Sequence, residues 1–239
     1  MHRFFADEIS GGTARILGED VKHMRKVLRL GPGDIVSLCD GNGTDYEAVI
    51  RSVSAEEAEL ELVSSAPSGT EPRTRVTLYQ CLPKAGKMET IIQKCTELGV
   101  STVVPVLSAR CVTQPGERFG PRLERYRKVA EEAAKQSGRG RIPEVRDLVR
   151  IRDIVPDKGS LLLVCYEEER ETTLKEALRS VPAPACIGIV VGPEGGLERE
   201  EVRTLEESGG RCITLGKRIL RTETAGMAVL AQVLYEVEG

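Results

Sequence analysis

The N-terminal part of the chain alternates between apolar and polar positions, which is the pattern of half-buried β-strands. Four segments show it, at residues 13–17, 34–39, 46–53 and 58–63. The turn sequence Asp-Gly-Asn-Gly at residues 40–43 joins two of them and is typical of a hairpin. A helix is predicted over 19–29, where apolar side chains recur at helical spacing before Gly31-Pro32-Gly33. This pattern predicts a small β-barrel with one helix, which suits a binding module better than a catalyst.

Short apolar runs alternate with amphipathic helical patterns in the rest of the chain. The residues between, 64–72, are rich in Ser, Pro and Gly and predict a linker. The runs predict strands buried on both faces, at 76–81, 103–107, 161–165, 187–191 and 212–215. The helical patterns cover 87–98, 121–137, 198–208 and 222–237. Such alternation predicts an α/β domain with a mainly parallel sheet, whose ligands bind beyond the carboxyl ends of the strands.

Two loops that follow predicted strands carry the candidate chemistry. Residues 192–196 read Gly-Pro-Glu-Gly-Gly, and their bare backbone can approach a ligand closely. This pattern is neither of the common glycine-rich phosphate motifs, and its glutamate would repel a pyrophosphate. The second loop, residues 215–225, concentrates Arg218, Arg221 and Glu223 before an apolar helix. Two such loops after consecutive strands predict one pocket for a zwitterionic, nucleoside-like ligand, although a structural turn and a capped helix with solvated arginines would give the same residues.

Composition excludes several classes of protein. The 239 residues are 40% hydrophobic and 30% charged, which is enough apolar material for a sizeable core and too much for a disordered chain. No apolar run approaches the length of a membrane-spanning helix, and the first residues do not resemble a secretory signal. The seven cysteines are scattered without metal-ligand spacing, and there are only two histidines. We therefore expect a cytoplasmic protein with reduced core cysteines and no metal site.

Charge is distributed unevenly along the chain. The net charge is −3, but residues 71–150 carry 16 basic and 9 acidic side chains, a net of +7 between two segments of −5 each. The middle segment is a candidate polyanion-binding surface, with ordinary solvated helix faces as the alternative. Aromatic residues are scarce, so phosphate contacts are favoured over base stacking and RNA affinity is expected to fall steeply with salt.

The motifs together resemble those of the RsmE family of 16S ribosomal RNA uridine-N3 methyltransferases, within the SPOUT superfamily of trefoil-knotted methyltransferases. The similarity extends over nearly the whole chain. The segments that carry it are 3–5, 23–30, 87–100, 131–139, 192–196 and 215–225. Gly-Pro-Glu-Gly-Gly alone occurs in related knotted enzymes, but its pairing with Arg-Ile-Leu-Arg-Thr-Glu-Thr-Ala at 218–225 is specific. One departure is Leu197-Glu198-Arg199, where the family often has a serine or threonine that caps the next helix.

The resemblance implies a fold and an activity. Residues 1–70 would form a PUA-like RNA-binding β-barrel, and residues 73–239 a SPOUT α/β domain with a deep trefoil knot. The methyl donor would be S-adenosylmethionine, the acceptor N3 of a specific uridine in 16S ribosomal RNA, and the substrate the RNA or the small ribosomal subunit. The enzyme would be a homodimer with its active sites at the subunit interface.

The motifs also assign roles to residues. Arg221 is expected to stabilise O2 or O4 of the uracil, and Glu223 either to take the N3 proton or to orient Arg221. The expected donor pocket consists of Gly192, Pro193, Glu194, Gly195, Gly196, Leu215, Gly216, Arg218, Ile219, Leu220, Thr224 and Ala225. The expected RNA contacts are Arg3, Lys22, His23, Lys26, Arg29, Arg139 and Arg141.

Two other functions remain open on the sequence. One is a knotted methyltransferase that acts on transfer RNA or on a ribose hydroxyl. The other is a ribosome-assembly factor that keeps the fold without the chemistry, although the intact pair of loops argues against it.

Overall fold

The computed structural model describes residues 2–84, 86–116, 119–156, 158–181, 184 and 186–238. By their contacts these residues form two compact units, here called the first and the second unit. The first contains residues 2–71 and 134–142, and the second contains the remainder. The sequence pattern placed a single boundary between residues 70 and 73 and left 134–142 in the second domain. It did so because a continuous helical pattern does not reveal that its last turn packs elsewhere.

A curled six-stranded sheet forms the first unit. Its strands are β1 (Arg3–Phe5), β2 (Glu8–Ser10), β3 (Thr13–Leu17), β4 (Ile35–Cys39), β5 (Thr44–Val53) and β6 (Glu57–Pro67). Their order is β1-β4-β5-β6-β3-β2, and every pair except β1–β4 is antiparallel. The consecutive residues Ala6 and Asp7 donate backbone hydrogen bonds to Cys39 on β4 and to Arg15 on β3. The sheet thus curls nearly into the predicted barrel, but among the described residues β1 and β2 remain unpaired edges.

The predicted helix of this unit is shorter and irregular. Helix α1 (Gly18–His23) continues as a π-helical turn over Met24–Leu28, and Arg29 ends it with a left-handed φ of 56°. Val21 and Met24 are fully buried against the sheet, whereas Val27 remains 64% exposed. The helical spacing in the sequence was therefore correct up to Met24 and misleading for Val27, which the π-helical turn rotates toward solvent.

The predicted linker begins as a strand. Residues 64–67 continue β6 and pair with residues 44–47 of β5, beyond a bulge at Glu47 and Ala48. This end of the strand is exposed and therefore lacks the apolar alternation that predicts strands from sequence. Its backbone hydrogen bonds, which the composition does not register, hold it in the sheet.

A parallel sheet forms the second unit. Its strands are β7 (Arg75–Cys81), β8 (Thr102–Leu107), β9 (Glu144–Val145), β10 (Val149–Arg150), β11 (Leu161–Cys165), β12 (Cys186–Val191) and β13 (Gly210–Ile213). The order is β10-β8-β7-β12-β11-β13, with β9 also beside β8, and every described pair is parallel. Alternate residues of β11 contribute to two different hydrophobic clusters, so the sheet is buried on both faces as the apolar runs predict.

The helices of the second unit cover the sheet. They are α2 (Lys87–Leu98), α3 (Phe119–Gln136), α4 (Leu174–Arg179), α5 (Arg199–Glu207) and α6 (Thr222–Glu238), with a 3-10 turn at Ile151–Asp153. The bounds of α2 are those predicted, and Gly99 ends it at φ 105°, a conformation that favours glycine. The N–H of Glu198, ahead of α5, donates to the Glu201 carboxylate at 3.0 Å, which is the bond that a glutamate at the third helical position makes in a capping box.

Candidate functional site

A cavity of about 350 Å³ lies at the carboxyl ends of three neighbouring strands, β12, β11 and β13. Its walls come from the loop after each strand, together with the first residue of α2 and the first turns of α6. The carboxyl edge of a parallel sheet is the usual ligand site of this architecture. The two glycine- and arginine-containing loops therefore meet at one cavity.

Close packing explains the glycines of the 192–196 loop. Gly196 has φ 71°, and a side chain there would collide with the Glu167 carboxylate. A Cβ on Gly195 would lie 3.3 Å from Cβ of Arg110, whose guanidinium donates a 2.9 Å hydrogen bond to the Gly195 carbonyl. The loop is thus confined on two sides and presents bare backbone to the cavity, together with Gly192, Pro193 and Glu194.

A buried hydrogen-bond chain joins this loop to the second one. Thr222 Oγ1 donates to the Gly192 carbonyl at 2.7 Å and accepts from Gln80 Nε2 at 2.9 Å. Gln80, on β7, is fully buried, and Thr222 is 6% exposed. The hydroxyl therefore fixes the start of α6 against the glycine loop.

Lys87 joins the same two segments by ion pairs. Its Nζ lies 2.9 Å from Glu194 Oε1 and 3.1 Å from Glu223 Oε2. Partial burial raises the pKa of Glu194, but hydrogen bonds from Lys87 and from backbone N–H groups outweigh burial and hold that pKa below its usual range. Hydrogen bonds to these carboxylates raise the pKa of Lys87. The glutamate that sequence reasoning treated as a repulsive charge is therefore neutralised by Lys87.

Most of the second loop lines the cavity. The lining residues among its predicted members are Leu215, Gly216, Arg218, Ile219, Leu220, Arg221 and Ala225. Thr224 is exposed and does not line the cavity, contrary to expectation, because α6 begins at Thr222 and turns positions 222 and 225 inward. Glu223 also lies outside the lining, where it pairs with Lys87.

A third loop, after β11, completes the wall. Cys165, Tyr166, Glu167 and Arg170 line it. Burial raises the pKa of the Cys165 thiol to about 12, so this thiol is protonated and not a nucleophile at neutral pH. In the described parts of the chain the seven cysteines are free and no cluster of metal-ligating side chains occurs.

The residues that sequence reasoning missed gave few signals. Lys87 begins a predicted helix and Gln80 is a polar residue near the end of an apolar strand, which is a detectable irregularity in a buried run. Glu167 follows a strand that pairs with β12, and only the strand order reveals that it faces the glycine loop.

The predicted RNA contacts of the first unit differ in accessibility. His23, Lys26, Arg29 and Arg141 are exposed, and Lys22 is exposed but paired with Glu19. Arg3 is largely engaged, since it donates to Asp45 at 2.7 Å and to the Arg139 carbonyl at 3.1 Å.

Arg139 is a structural residue. It is 4% exposed and pairs with Glu71 at 2.6 Å, while the same carboxylate accepts hydrogen bonds from the backbone of Gly140 and Arg141. A buried guanidinium with a carboxylate partner is not available to phosphate, so the prediction that Arg139 contacts RNA is wrong. The basic segment suggested it because charge counts do not distinguish buried from exposed arginines.

Family models match both units. Residues 70–234 match a model described as an RNA methyltransferase domain, and residues 16–63 match one described as an RNA methyltransferase PUA domain. Since the first of these spans more than half of the chain, the protein belongs to the RNA methyltransferase family.

Curated relatives narrow this class. The ribosomal RNA small subunit methyltransferase E of Bacillus subtilis is 34% identical over 95% of this chain and 91% of its own length. That of Mycobacterium tuberculosis is 32% identical over 96% and 90%. The chain thus belongs to the RsmE family within that class.

Solved structures agree in fold. The ribosomal RNA small subunit methyltransferase E of Neisseria gonorrhoeae, bound to S-adenosylmethionine, superposes with a TM-score of 0.86 at 31% identity, covering 99% of this chain and 98% of that one. A putative methyltransferase from Legionella pneumophila with bound cofactor reaches 0.84 at 28% identity over 98% and 97%. The described residues contain no helix that is long and apolar enough to cross a membrane.

Proposed function

We propose that this protein transfers a methyl group from S-adenosylmethionine to N3 of one uridine in 16S ribosomal RNA. The observation that carries the proposal is the single cavity into which both signature loops bring bare backbone and two exposed arginines. The relatives named as small subunit methyltransferases support the RNA substrate, and the atom and base rest on the resemblance to the RsmE family.

The cavity residues fit the donor. The glycines at 192–196 present backbone without side chains to the cavity, while Val191, Leu215 and Leu220 offer apolar surface to a planar base. The volume lies in the range of small-ligand pockets. When bound, S-adenosylmethionine supplies an electrophilic methyl group on a sulfonium. The predicted donor-binding set then keeps all its members except Thr224, and gains Cys165, Tyr166 and Glu167.

Arg221 is the residue that we assign to the acceptor. N3 of uridine carries a proton at neutral pH and becomes a nucleophile only when that proton leaves. A guanidinium beside O2 or O4 stabilises the resulting anion and lowers the free energy of deprotonation. Arg221 lines the cavity and is exposed at its mouth, so it can contact a base that enters from solvent.

Glu223 acts better as an orienting charge than as the base. A hydrogen bond from its own backbone N–H, the Lys87 ammonium and the charge of Arg221 outweigh burial and hold the pKa of Glu223 below its usual range. A carboxylate with a lowered pKa is a weak acceptor for a uracil proton. We therefore assign the proton to solvent water and give Glu223 the second of its two expected roles, that of orienting Arg221, through the attraction between their charges and not through a direct ion pair.

The remaining expectations extend the proposal. The exposed His23, Lys26, Arg29 and Arg141 of the first unit would contact phosphates, and Lys22 and Arg3 would do so only by leaving their partners Glu19 and Asp45. The family resemblance adds a cytoplasmic homodimer, active sites at the subunit interface and a trefoil knot around the donor.

Turnover of Arg221→Ala with saturating donor and small ribosomal subunits tests this mechanism. We expect turnover to fall by about 10²–10³-fold, the size of losing one charge-stabilising donor, while donor affinity changes much less. Glu223→Gln keeps the shape of the orienting side chain and should retain more activity than Arg221→Ala. Normal turnover of Arg221→Ala would contradict the assignment.

A further inference from the structure

The net charge of the cavity lining is not complementary to the charge of S-adenosylmethionine alone. Its lining holds four cations, Lys87, Arg170, Arg218 and Arg221, against two carboxylates, Glu167 and Glu194, which is a net charge of +2 among the described lining residues. S-adenosylmethionine itself carries a net positive charge. An excess of positive charge in its pocket would weaken donor binding unless an anion also occupies the site.

Lys87 is not the source of this excess, because it pairs with Glu194 and with Glu223, which lies outside the lining; counting Glu223 as well leaves a net charge of +1. The excess lies on the three arginines. Within the described part of the chain, Arg170, Arg218 and Arg221 are exposed and form no side-chain hydrogen bond or ion pair. Arg199, by contrast, pairs with Glu168 of the same loop that carries Arg170. Unpaired guanidinium groups around one opening are arranged for an external anion.

We propose that Arg170 and Arg218 form a phosphate clamp for the RNA strand at the mouth of the cavity, on either side of the nucleotide that Arg221 contacts. This inference rests on the proposed RNA methyltransferase function and adds to it a substrate-binding site on the catalytic unit itself. Arg170 comes from the loop after β11 and Arg218 from the loop after β13, so the two side chains approach the opening from different walls. Guanidinium groups bind phosphate through paired N–H donors, which suits them to hold a backbone while a base enters.

The assignment changes the role of Arg218. Sequence reasoning placed it in the donor pocket because it lies between two donor-loop residues. Its exposure and its lack of a carboxylate partner are better explained by a contact with the acceptor RNA. Arg170 had no role on the sequence, since it stands in an acidic run, Glu167 to Glu171, that hides an isolated basic residue.

The salt dependence of RNA affinity measures the clamp directly. Binding of the full chain to 16S ribosomal RNA is titrated over a series of KCl concentrations, and the slope of log K against log [salt] is determined. Arg170→Ala and Arg218→Ala are each expected to reduce the slope by about 0.7–0.9, the counterion release of one phosphate contact, and the double variant by about twice that. Arg170→Lys keeps the charge and should keep most of the slope.

Arg211→Ala is the matched control. Arg211 is exposed, unpaired within the described chain and placed on β13, away from the loop at its carboxyl end. Its removal costs the same charge and should leave the slope unchanged. Unchanged slopes in Arg170→Ala and Arg218→Ala, or a loss of calorimetric donor affinity in place of the slope change, would overturn the clamp. Failure of the proposed function is distinguished by the unmodified protein, which would then neither bind S-adenosylmethionine nor methylate the RNA.

Discussion

Thr222 is a residue whose hydroxyl holds two parts of the donor site together. It donates to the Gly192 carbonyl and accepts from the buried Gln80 amide. On the sequence alone a threonine at the start of an apolar helix usually has the role of a helix cap. The inward turn of α6 gives the hydroxyl a different partner, and local sequence does not specify that turn.

Thr222→Val tests this link with little change in volume. The variant leaves the buried Gln80 amide with only the Cys81 carbonyl as acceptor and the Gly192 carbonyl without its donor. We expect the free energy of unfolding to fall by about 1–3 kcal/mol and calorimetric donor affinity to fall with it. Thr222→Ser retains the hydroxyl and should stay close to the unsubstituted protein. If the free energy of unfolding and the donor affinity are both unchanged in Thr222→Val, the hydrogen bonds of Thr222 to Gln80 and Gly192 have no energetic role.

Single residues were predicted well where the motif fixed the backbone and poorly where burial decided the role. Glycines at 192–196 lie at the cavity as their spacing suggests. Arg139 and Arg141 are equally basic on the sequence, yet one is buried against Glu71 and the other is exposed. The difference depends on the segment 134–142 joining the first unit, a non-local contact that no charge count contains.

At the scale of elements, the Glu71–Arg139 pair fixes the segment 134–142 within the first unit. Burial raises the pKa of Glu71, but Arg139 and the N–H groups of Arg141 and Gly140 outweigh it, so this pKa lies below its usual range. A carboxylate with a lowered folded-state pKa adds stability above its unfolded-state pKa and loses it as pH falls through the folded-state value.

Glu71→Gln should therefore destabilise the protein in a pH-dependent way. At neutral pH we expect the free energy of unfolding, measured in urea, to fall by about 3–5 kcal/mol, because the variant leaves the buried Arg139 without its counter-charge. The difference from the unsubstituted protein should shrink in acid, where Glu71 is protonated. Glu57→Gln, which removes an exposed ion pair with Arg15, should have far less effect at either pH. Equal effects of the two substitutions, or a difference that grows in acid, would contradict this account.

Elements were predictable where periodicity was strong. Five of the seven described strands of the parallel sheet follow their apolar patterns, as does α2, whereas β9 and β10, of two residues each, were not predicted. Helix α4 was missed because it has only six residues, although Thr173 and Glu176 form a capping box, which is a sequence signal for the start of a helix. The last four residues of β6 were missed because an exposed strand end needs no alternation.

At the scale of the whole molecule, each unit carries a different part of the function that the family resemblance implies. The first unit carries exposed basic residues on its helix and on residues 134–142, and the second carries the cavity. Charge counts did not reveal this division, since the basic residues of the first unit's helix lie in the acidic segment 1–70 and the basic segment 71–150 falls mostly in the second unit. Strand order is likewise a non-local property, and it alone brings the loops after β11, β12 and β13 to one cavity.

Methyl transfer to defined RNA tests the central claim most directly. The protein is incubated with labelled S-adenosylmethionine and either naked 16S ribosomal RNA or small ribosomal subunits from cells that lack this methylation. The RNA is then digested and the labelled nucleoside identified. We predict N3-methyluridine at a single position in at least one of the two substrates. Donor binding without methyl transfer to either substrate, or a label on a ribose or on another base, would contradict the account.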